Sequence, residues 1–204
     1  KANLAVWISF AVLGAALPAN ATHGLVFDSG EFSTTDQTSV TVASEKNNAI
    51  IDQKLEKWTT NKTIPELHKL MKQGKFTSLQ LTKFYLNKIA SEDHKYNAVI
   101  SLNPDALSQA TLLDKKFANG ADLSNMPLFG MPILLKDNIE SKELPTTAGS
   151  LALINNLTKR DATMTANLRK AGAIILGKTN LSEWANFRSE RSSSGWSAVG
   201  GQTI

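Results

Sequence analysis

The chain contains no cysteine, and this absence excludes both a disulfide framework and thiolate chemistry. Histidine is also scarce: His23, His68 and His94 are isolated from one another and show none of the spacings typical of metal ligands. We therefore predict an ordinary surface or capping role for each histidine and no metal site.

The chain also lacks any concentration of charge of one sign. It has 22 Lys and Arg against 18 Asp and Glu, which gives a net charge of +4 and an isoelectric point near 9.2. The basic residues are scattered and are not interleaved with aromatic residues, whereas a nucleic-acid-binding surface would concentrate them. We interpret the charge balance as a solvated surface and expect no nucleic-acid partner.

Leu4–Leu17 is an apolar run, but it is too short for a comfortable membrane span. Lys1 precedes it and Pro18-Ala19-Asn20-Ala21 follows it, as in the charged, apolar and small-residue regions of a secretory signal. A buried helix of the mature fold is the alternative interpretation. We predict a signal peptide over residues 1–21, a secreted or periplasmic location, and no stable membrane span once the signal is removed.

Residues 22–47 are rich in Ser, Thr, Asp and Gly, which predicts a flexible leader before a folded segment over residues 48–204. The folded segment begins with helical signals. Thr63 and Pro65 open one helix that Gly74 closes, and Thr77 with Gln80 has capping-box spacing. Before these, a helical pattern begins at Asn48, and its apolar side consists of Ile50, Ile51, Leu55 and Trp58. Two more helices are predicted further along the chain. One starts at Asn103-Pro104 and stops at Gly120, and the other occupies Asp161–Lys170.

Short apolar segments alternate with the later helices. We predict strands over Asn97–Ser101, Pro132–Lys136 and Ala173–Leu176. Strands that alternate with helices are typical of parallel pairing through crossover connections. The sequence therefore indicates an α/β layer preceded by a helical N-terminal layer.

Lys136 is the strongest candidate for a chemical role because it ends an apolar strand. Burial by Pro132–Leu135 would favour the neutral amine, and a neutral lysine can act as a base for a nucleophilic serine. Asp137 and Asn138 follow it directly, and their short side chains are suited to holding a turn through bonds to nearby backbone.

The sequence around this lysine resembles the amidase signature family, especially its peptide-amidase-like and general amidase members. The resemblance runs from about Tyr96 to Thr203 and rests on PLFGMPILLKDNI, TTAGS at Thr146–Ser150, DATMTANLRKAGAIILGKTNLSEWANF and SSSGWSAVGGQT. It implies an α/β/α sandwich around a mixed sheet. It also implies a Ser-cisSer-Lys triad with Lys136 as the base, and no metal or organic cofactor.

In the family both triad serines lie in a Gly/Ser-rich stretch after the GGQT element, and Ile204 is one residue past that element here. The resemblance therefore implies that this chain is an N-terminal portion of the amidase domain, without the serines and inactive alone. Ser192–Ser194 precede GGQT, so we do not expect them to supply the nucleophile.

The resemblance also indicates residues around the lysine. It places Thr147, Gly149 and Ser150 in a loop that lines or supports the site, although simple loop punctuation remains an alternative. It suggests that Trp184 or Trp196 stacks on substrate beside Ser194 and Gly195. Trp184 is equally consistent with a core position, since Leu181, Trp184 and Phe187 recur at helical spacing.

The implied reaction is hydrolysis of a carboxamide bond in a small-molecule or peptide amide, such as the C-terminal amide of a peptide. Two other interpretations stay open. One is a relative of the A subunit of the tRNA-dependent amidotransferase, which the export signal disfavours, and the other is a non-enzymatic remnant of an amidase.

Overall fold

The computed structural model describes residues 50–188 and 190–204. The predicted signal peptide over residues 1–21 and leader over residues 22–47 lie outside these residues. The described helices are α1 (residues 50–59), α2 (Ile64–Lys72), α3 (Ser78–Glu92), α4 (Ala106–Ala118) and α5 (Thr163–Lys170). The strands are β1 (Val99–Leu102), β2 (Pro132–Lys136), β3 (Ile174–Thr179), β4 (Trp196–Ser197) and β5 (Gly201–Gln202).

The early helices begin where their capping residues predict. The backbone N–H of Thr63 donates to Glu66 Oε2 at 2.8 Å ahead of α2. Ahead of α3, the N–H of Thr77 donates to Gln80 Oε1 at 3.0 Å, and Thr77 Oγ1 accepts from Gln80 N at 3.2 Å. These reciprocal bonds satisfy amides that have no partner within the helix. Gly74 follows α2 with φ +70°, a conformation that glycine adopts without strain.

The main sheet has three strands in the order β1-β3-β2. β2 pairs with β3 in parallel, with Pro132 opposite Ile174 and Lys136 opposite Thr179. α5 lies in the connection between them, as a parallel crossover requires. β1 pairs antiparallel with β3. The prediction of an α/β fold around a mixed sheet is therefore confirmed.

The predicted third strand is too short, because β3 continues past Leu176 to Thr179. A lysine at position 178 breaks the apolar run, and the sequence pattern ends there. In the fold this lysine has polar partners inside the protein, so the strand continues through it.

Two apolar clusters form much of the core. The first joins α1, α2 and α3 to the segment that leads into β2. The second packs α4 against β3, with partly buried side chains of α3 beside it. The buried members are Leu55, Leu67, Met71, Phe76, Leu81, Phe84, Phe129 and Met131 in the first cluster, and Ala106, Ala110, Ile174 and Leu176 in the second.

Across the described ranges, none of the helices combines the length and apolar character needed to cross a membrane.

Candidate active site

The candidate residues gather at the carboxyl ends of β2 and β3. Because these strands are parallel and adjacent, Asp137 and Asn180, which follow them, emerge at the same edge of the sheet. In open α/β sheets, ligands bind outside the carboxyl ends of the strands. The loop over residues 140–160 and the β4–β5 hairpin complete this edge.

Lys136 lies at this edge with an exposed side chain, so the prediction that β2 buries it is wrong. Successive side chains of a strand point to opposite faces. Leu135 points inward and is 3% exposed, whereas Lys136, the last residue of β2, points away from the core. Its side chain forms no hydrogen bond or ion pair with the described residues, which leaves the amine accessible from solvent.

The buried lysine of this site is Lys178, which was not predicted from the sequence. Its Nζ donates to the carbonyl oxygen of Ile139 at 2.6 Å and to Thr146 Oγ1 at 3.0 Å. Nζ also lies 3.6 Å from Asp137 Oδ1, and the two side chains are 0% and 1% exposed. Burial lowers the pKa of Lys178 below its usual value, and the charge of Asp137 opposes this shift.

The sequence signal for Lys178 is the same as that for Lys136. Each lysine ends an apolar run, in AIILGK for one and PILLK for the other. What separates them is the register of the two strands: Lys178 lies opposite Leu135, which points inward, whereas Lys136 lies opposite Thr179, one residue further along.

Asp137 holds the turn after β2. Its Oδ2 accepts hydrogen bonds from the hydroxyl and, at 3.2 Å, the backbone N–H of Thr147. Its carbonyl oxygen accepts from Ala148 N at 2.9 Å. Asn138, in contrast, is exposed and its side chain bonds to none of the described residues. Asp137 thus links the end of β2 to the loop that contains Thr147.

Gly149 connects this loop to the β4–β5 hairpin. Its N–H donates to Thr147 Oγ1 at 3.0 Å, and its carbonyl oxygen accepts from Val199 N at 3.1 Å. A Cβ at Gly149 would lie 2.6 Å from Ser197 Cβ, and φ is +76°. Only glycine fits such a close approach in this conformation. Ser150 is buried beside it.

Trp184 lies in a turn whose backbone is left-handed, with φ of 51° at Trp184, 53° at Ala185 and 64° at Asn186. Bulky residues rarely adopt this conformation, and such strain is concentrated at functional sites. The helical core alternative for this segment is wrong, because Phe187 is 93% exposed and the turn interrupts helical spacing.

The structure brings the two candidate tryptophans into one open cleft, lined by Glu183, Trp184, Arg188, Ser192, Ser193 and Trp196. Ser194 and Gly195 are not among the residues that line the cleft, and each forms a hydrogen bond with a residue near it. Ser194 Oγ accepts from Asn186 Nδ2 at 3.3 Å, and Gly195 N donates to Ser182 Oγ at 2.8 Å. An aromatic surface of this kind suits an apolar or planar group of a substrate.

Within residues 50–188 and 190–204, no group of three or more His, Asp or Glu side chains is arranged to hold a metal ion. A ring nitrogen of His68 lies 2.9 Å from the Phe129 carbonyl oxygen, and His94 lies in a short 3-10 turn after α3. His23 lies outside the described residues.

Comparisons with known proteins agree with this architecture. The sequence model of the Amidase family matches residues 80–201. A protein of Arabidopsis thaliana described as a probable amidase is 46% identical over 143 residues, which are 68% of this chain and 27% of that protein. The A subunit of the glutamyl-tRNA(Gln) amidotransferase from an Exiguobacterium species is 39% identical over 130 residues, which are 64% of this chain and 26% of that protein.

Among solved structures, the native peptide amidase from Stenotrophomonas maltophilia matches with a TM-score of 0.67 and 48% identity, over 71% of this chain and 30% of that one. The chain spans about a quarter of the length of the curated relatives, 27% and 24% for the first two. The matched segment includes β2, β3 and the loops at their carboxyl ends. By its sequence and its mixed sheet, the chain belongs to the amidase family and has part of the amidase signature fold.

Proposed function

We propose that this chain contributes the lysine-bearing part of an amidase that hydrolyses carboxamide bonds, with Lys136 as the base of a Ser-cisSer-Lys triad. The observation that carries the proposal is the placement of Lys136. Its amine is accessible at the carboxyl edge of the parallel strands, where ligands bind in sheets of this kind.

In the proposed reaction the neutral amine of Lys136 takes a proton from the bridging cis-serine, which in turn takes one from the nucleophilic serine. The serine oxygen attacks the amide carbon and forms an acyl-enzyme. The same relay then protonates the leaving amine, and water releases the acid. Other residues of the catalytic domain must cover Lys136 in this mechanism, because a lysine in water stays protonated at neutral pH.

Peptide amides are the substrate class we favour. Solved structures of a peptide amidase resemble this chain, and in one of those structures the peptide amidase is in complex with the competitive inhibitor chymostatin. The cleft between Trp184 and Trp196 offers an aromatic surface for a side chain of such a peptide. No nucleic acid, metal or organic cofactor takes part in the proposal.

Amidotransferase A subunits are also relatives, and they support a second candidate function in glutamine-dependent amide transfer. The apolar run over Leu4–Leu17 favours export and therefore the amidase. N-terminal sequencing of the exported protein should show cleavage after Ala21. An uncleaved protein that stays in the cytoplasm would favour the amidotransferase.

The Gly/Ser-rich stretch that contains the serines in the family does not occur among the 204 residues. We therefore expect this polypeptide by itself to form no acyl-enzyme, because its base has no nucleophile to activate. Fluorophosphonate labelling of Ser192, Ser193 or Ser194 would contradict this expectation. An in-frame Gly/Ser-rich stretch after the codon for Ile204 would favour an enzyme over a non-catalytic remnant.

The test of the proposal is substitution of Lys136 in a polypeptide that also contains the serine-rich stretch. Lys136→Ala should lower kcat by about three orders of magnitude or more, and Lys136→Arg should fail to rescue it because guanidinium does not release its proton. Lys142→Ala is the matched control, since Lys142 is an exposed lysine in the loop that follows. Near-normal turnover in Lys136→Arg would show that the lysine is not the base.

A further inference from the structure

Lys178 and Asp137 form a completely buried charge pair that the proposed reaction does not use. Their side chains are 0% and 1% exposed, and Nζ and Oδ1 are 3.6 Å apart. Lysine and aspartate are almost never fully buried unless they are paired, because each loses its hydration. A fully buried pair at this position therefore requires an explanation beyond packing.

The pair holds three segments of the candidate site together. Besides Asp137, the Lys178 ammonium binds the Ile139 carbonyl oxygen and Thr146 Oγ1, at 2.6 and 3.0 Å. The second oxygen of Asp137 accepts from the hydroxyl and the N–H of Thr147. One buried ammonium thus joins β3, the turn after β2 and the loop around Thr147.

This arrangement lies directly beneath Lys136. Asp137 follows Lys136 in the chain, and its N–H donates to the Thr179 carbonyl oxygen at 3.1 Å. The side chain of Lys136 is exposed and that of Asp137 is buried, so the two point away from each other. A shift of Asp137 would therefore move the backbone from which the Lys136 amine extends.

The pair also sets the charge that Lys136 experiences from the protein interior. Glu140 is the other carboxylate that acts on Lys178, and Arg160 engages Glu140 through hydrogen bonds of 2.8 and 2.9 Å. These four groups carry two positive and two negative charges. Arg160 is exposed and Glu140 is partly exposed, so the Lys178–Asp137 pair is the fully buried part of this charge arrangement.

We propose that Lys178 and Asp137 are positioning residues for Lys136: they fix its backbone and keep the charge beneath it balanced. The inference rests on the proposed function, in which Lys136 is the base. Neither residue touches the reacting atoms, and both act through Lys136.

The two single substitutions should change the reactivity of Lys136 in opposite directions. Asp137→Asn leaves the buried cation of Lys178 without its carboxylate, which favours the neutral, reactive amine of Lys136. Lys178→Met leaves the carboxylate of Asp137 without its cation, which favours the protonated, unreactive amine. The double variant removes both charges and restores the balance. A purely structural role would not produce opposite signs.

The test measures acetylation of Lys136 by a short pulse of acetic anhydride at pH 8, read by mass spectrometry on the 204-residue chain at submicromolar concentration. Relative to the exposed reference Lys142, acetylation should become about threefold or more faster in Asp137→Asn and slower by a similar factor in Lys178→Met. The double variant should lie within about twofold of the unmodified chain. Lys88→Met, which removes the surface partner of Glu56, should leave the rate unchanged.

Changes of the same sign in both single variants, or no change in either, would overturn the proposal. If a single variant fails to fold, the double variant decides, because it buries no uncompensated charge. In the double variant, backbone hydrogen exchange of the segment over Lys136–Ile139 should be about tenfold faster than in the unmodified chain. Unchanged exchange in the double variant would overturn the positioning role.

None of these measurements depends on amide hydrolysis. Acetylation of Lys136 could be unaltered in Asp137→Asn and Lys178→Met while Lys136→Ala inactivates the enzyme. That result would exclude the positioning role and leave the proposed function intact. Normal turnover in Lys136→Ala would remove the proposed function, whatever the acetylation rates.

Discussion

At the scale of single residues, Lys136 and Lys178 show how the same local sequence leads to opposite environments. Both lysines follow apolar runs, but Lys178 lies within β3 opposite the buried Leu135, whereas Lys136 is the last residue of β2 and lies opposite Thr179. Lys178 is therefore enclosed and needs polar partners. Lys136 at the end of the edge strand remains accessible for chemistry.

The lowered pKa of Lys178 predicts how stability depends on pH. In the unfolded chain this lysine titrates near its ordinary value of 10.5, and in the folded protein it titrates lower because it is buried. Between these two pKa values the unfolded chain binds more protons, so stability should rise with pH across that interval. Urea unfolding from pH 7 to 10 should show this rise, and Lys178→Met should lack it.

Lys88 provides the control for that measurement. Its hydrogen bond with Glu56 raises its pKa, so its stabilising contribution is complete below the ordinary value of 10.5 and is lost only above it. Lys88→Met should therefore leave the slope between pH 7 and 10 unchanged. A slope that persists in Lys178→Met would show that another group causes it.

Gly149 offers a second test at this scale, because it has both a positive φ and a close neighbour. Gly149→Ala should destabilise the fold by about 2 to 4 kcal/mol, since its Cβ would collide with Ser197 in addition to the backbone strain. Gly120 has φ +74°, and no atom lies within 4 Å of the position that a Cβ would occupy there. Gly120→Ala should therefore cost only about 1 kcal/mol, and equal losses in thermal or urea unfolding would contradict this explanation.

At the scale of secondary-structure elements, α2 and α3 begin with the same type of capping box but differ in charge. Glu66 serves α2 and Gln80 serves α3. Hydrogen bonds from the backbone and side chain of Thr63, with help from Lys62, lower the pKa of Glu66 to about 2. Only the cap of α2 is therefore sensitive to acid.

We predict that the start of α2 loosens as the pH falls from about 4.5 towards 2, because a carboxyl with a depressed pKa loses its stabilising contribution as it becomes protonated. The carboxyl carbon of Glu66 should titrate near pH 2 by NMR. The N-terminal amides of α3 should keep their protection over the same range, since Gln80 does not ionise. A Glu66 midpoint above pH 4 would contradict the prediction.

At the scale of the whole molecule, the described part of the main sheet has open edges. β1 and β2 each pair with β3 alone within the described ranges. Several large apolar side chains are also exposed, many of them in loops at the carboxyl edge. They include Leu151, Ile154, Leu157, Phe187 and Trp196. Open strand edges and exposed apolar surface both favour association between chains.

The 204-residue chain should accordingly self-associate as its concentration rises through the micromolar range. Sedimentation velocity is expected to show a shift from monomer to larger species, and the shift should persist at high salt because apolar contacts drive it. Phe187→Ser should weaken the association, with exposed Lys142→Ser as the control. A strictly monomeric chain at 100 micromolar would show that these surfaces do not bind one another.

Much of the fold could be predicted from local sequence. Thr63 with Pro65 and Thr77 with Gln80 located the starts of two helices, Pro132–Lys136 is a strand with the predicted limits, and alternation of elements indicated the parallel pair. These features depend on contacts between neighbours in the chain or on the period of a single element.

Local sequence was therefore enough to predict the main helices and strands, the family and the position of Lys136 at a strand end, but not the β4–β5 hairpin. Three features follow from long-range packing instead: Lys136 is exposed, Lys178 is buried against Asp137, and Trp184 lies in a left-handed turn. Burial depends on how β2 and β3 are paired, and the Lys178–Asp137 pair joins residues about 40 positions apart in the chain. No local pattern encodes such a contact, because the partners come together only when β2 and β3 pair.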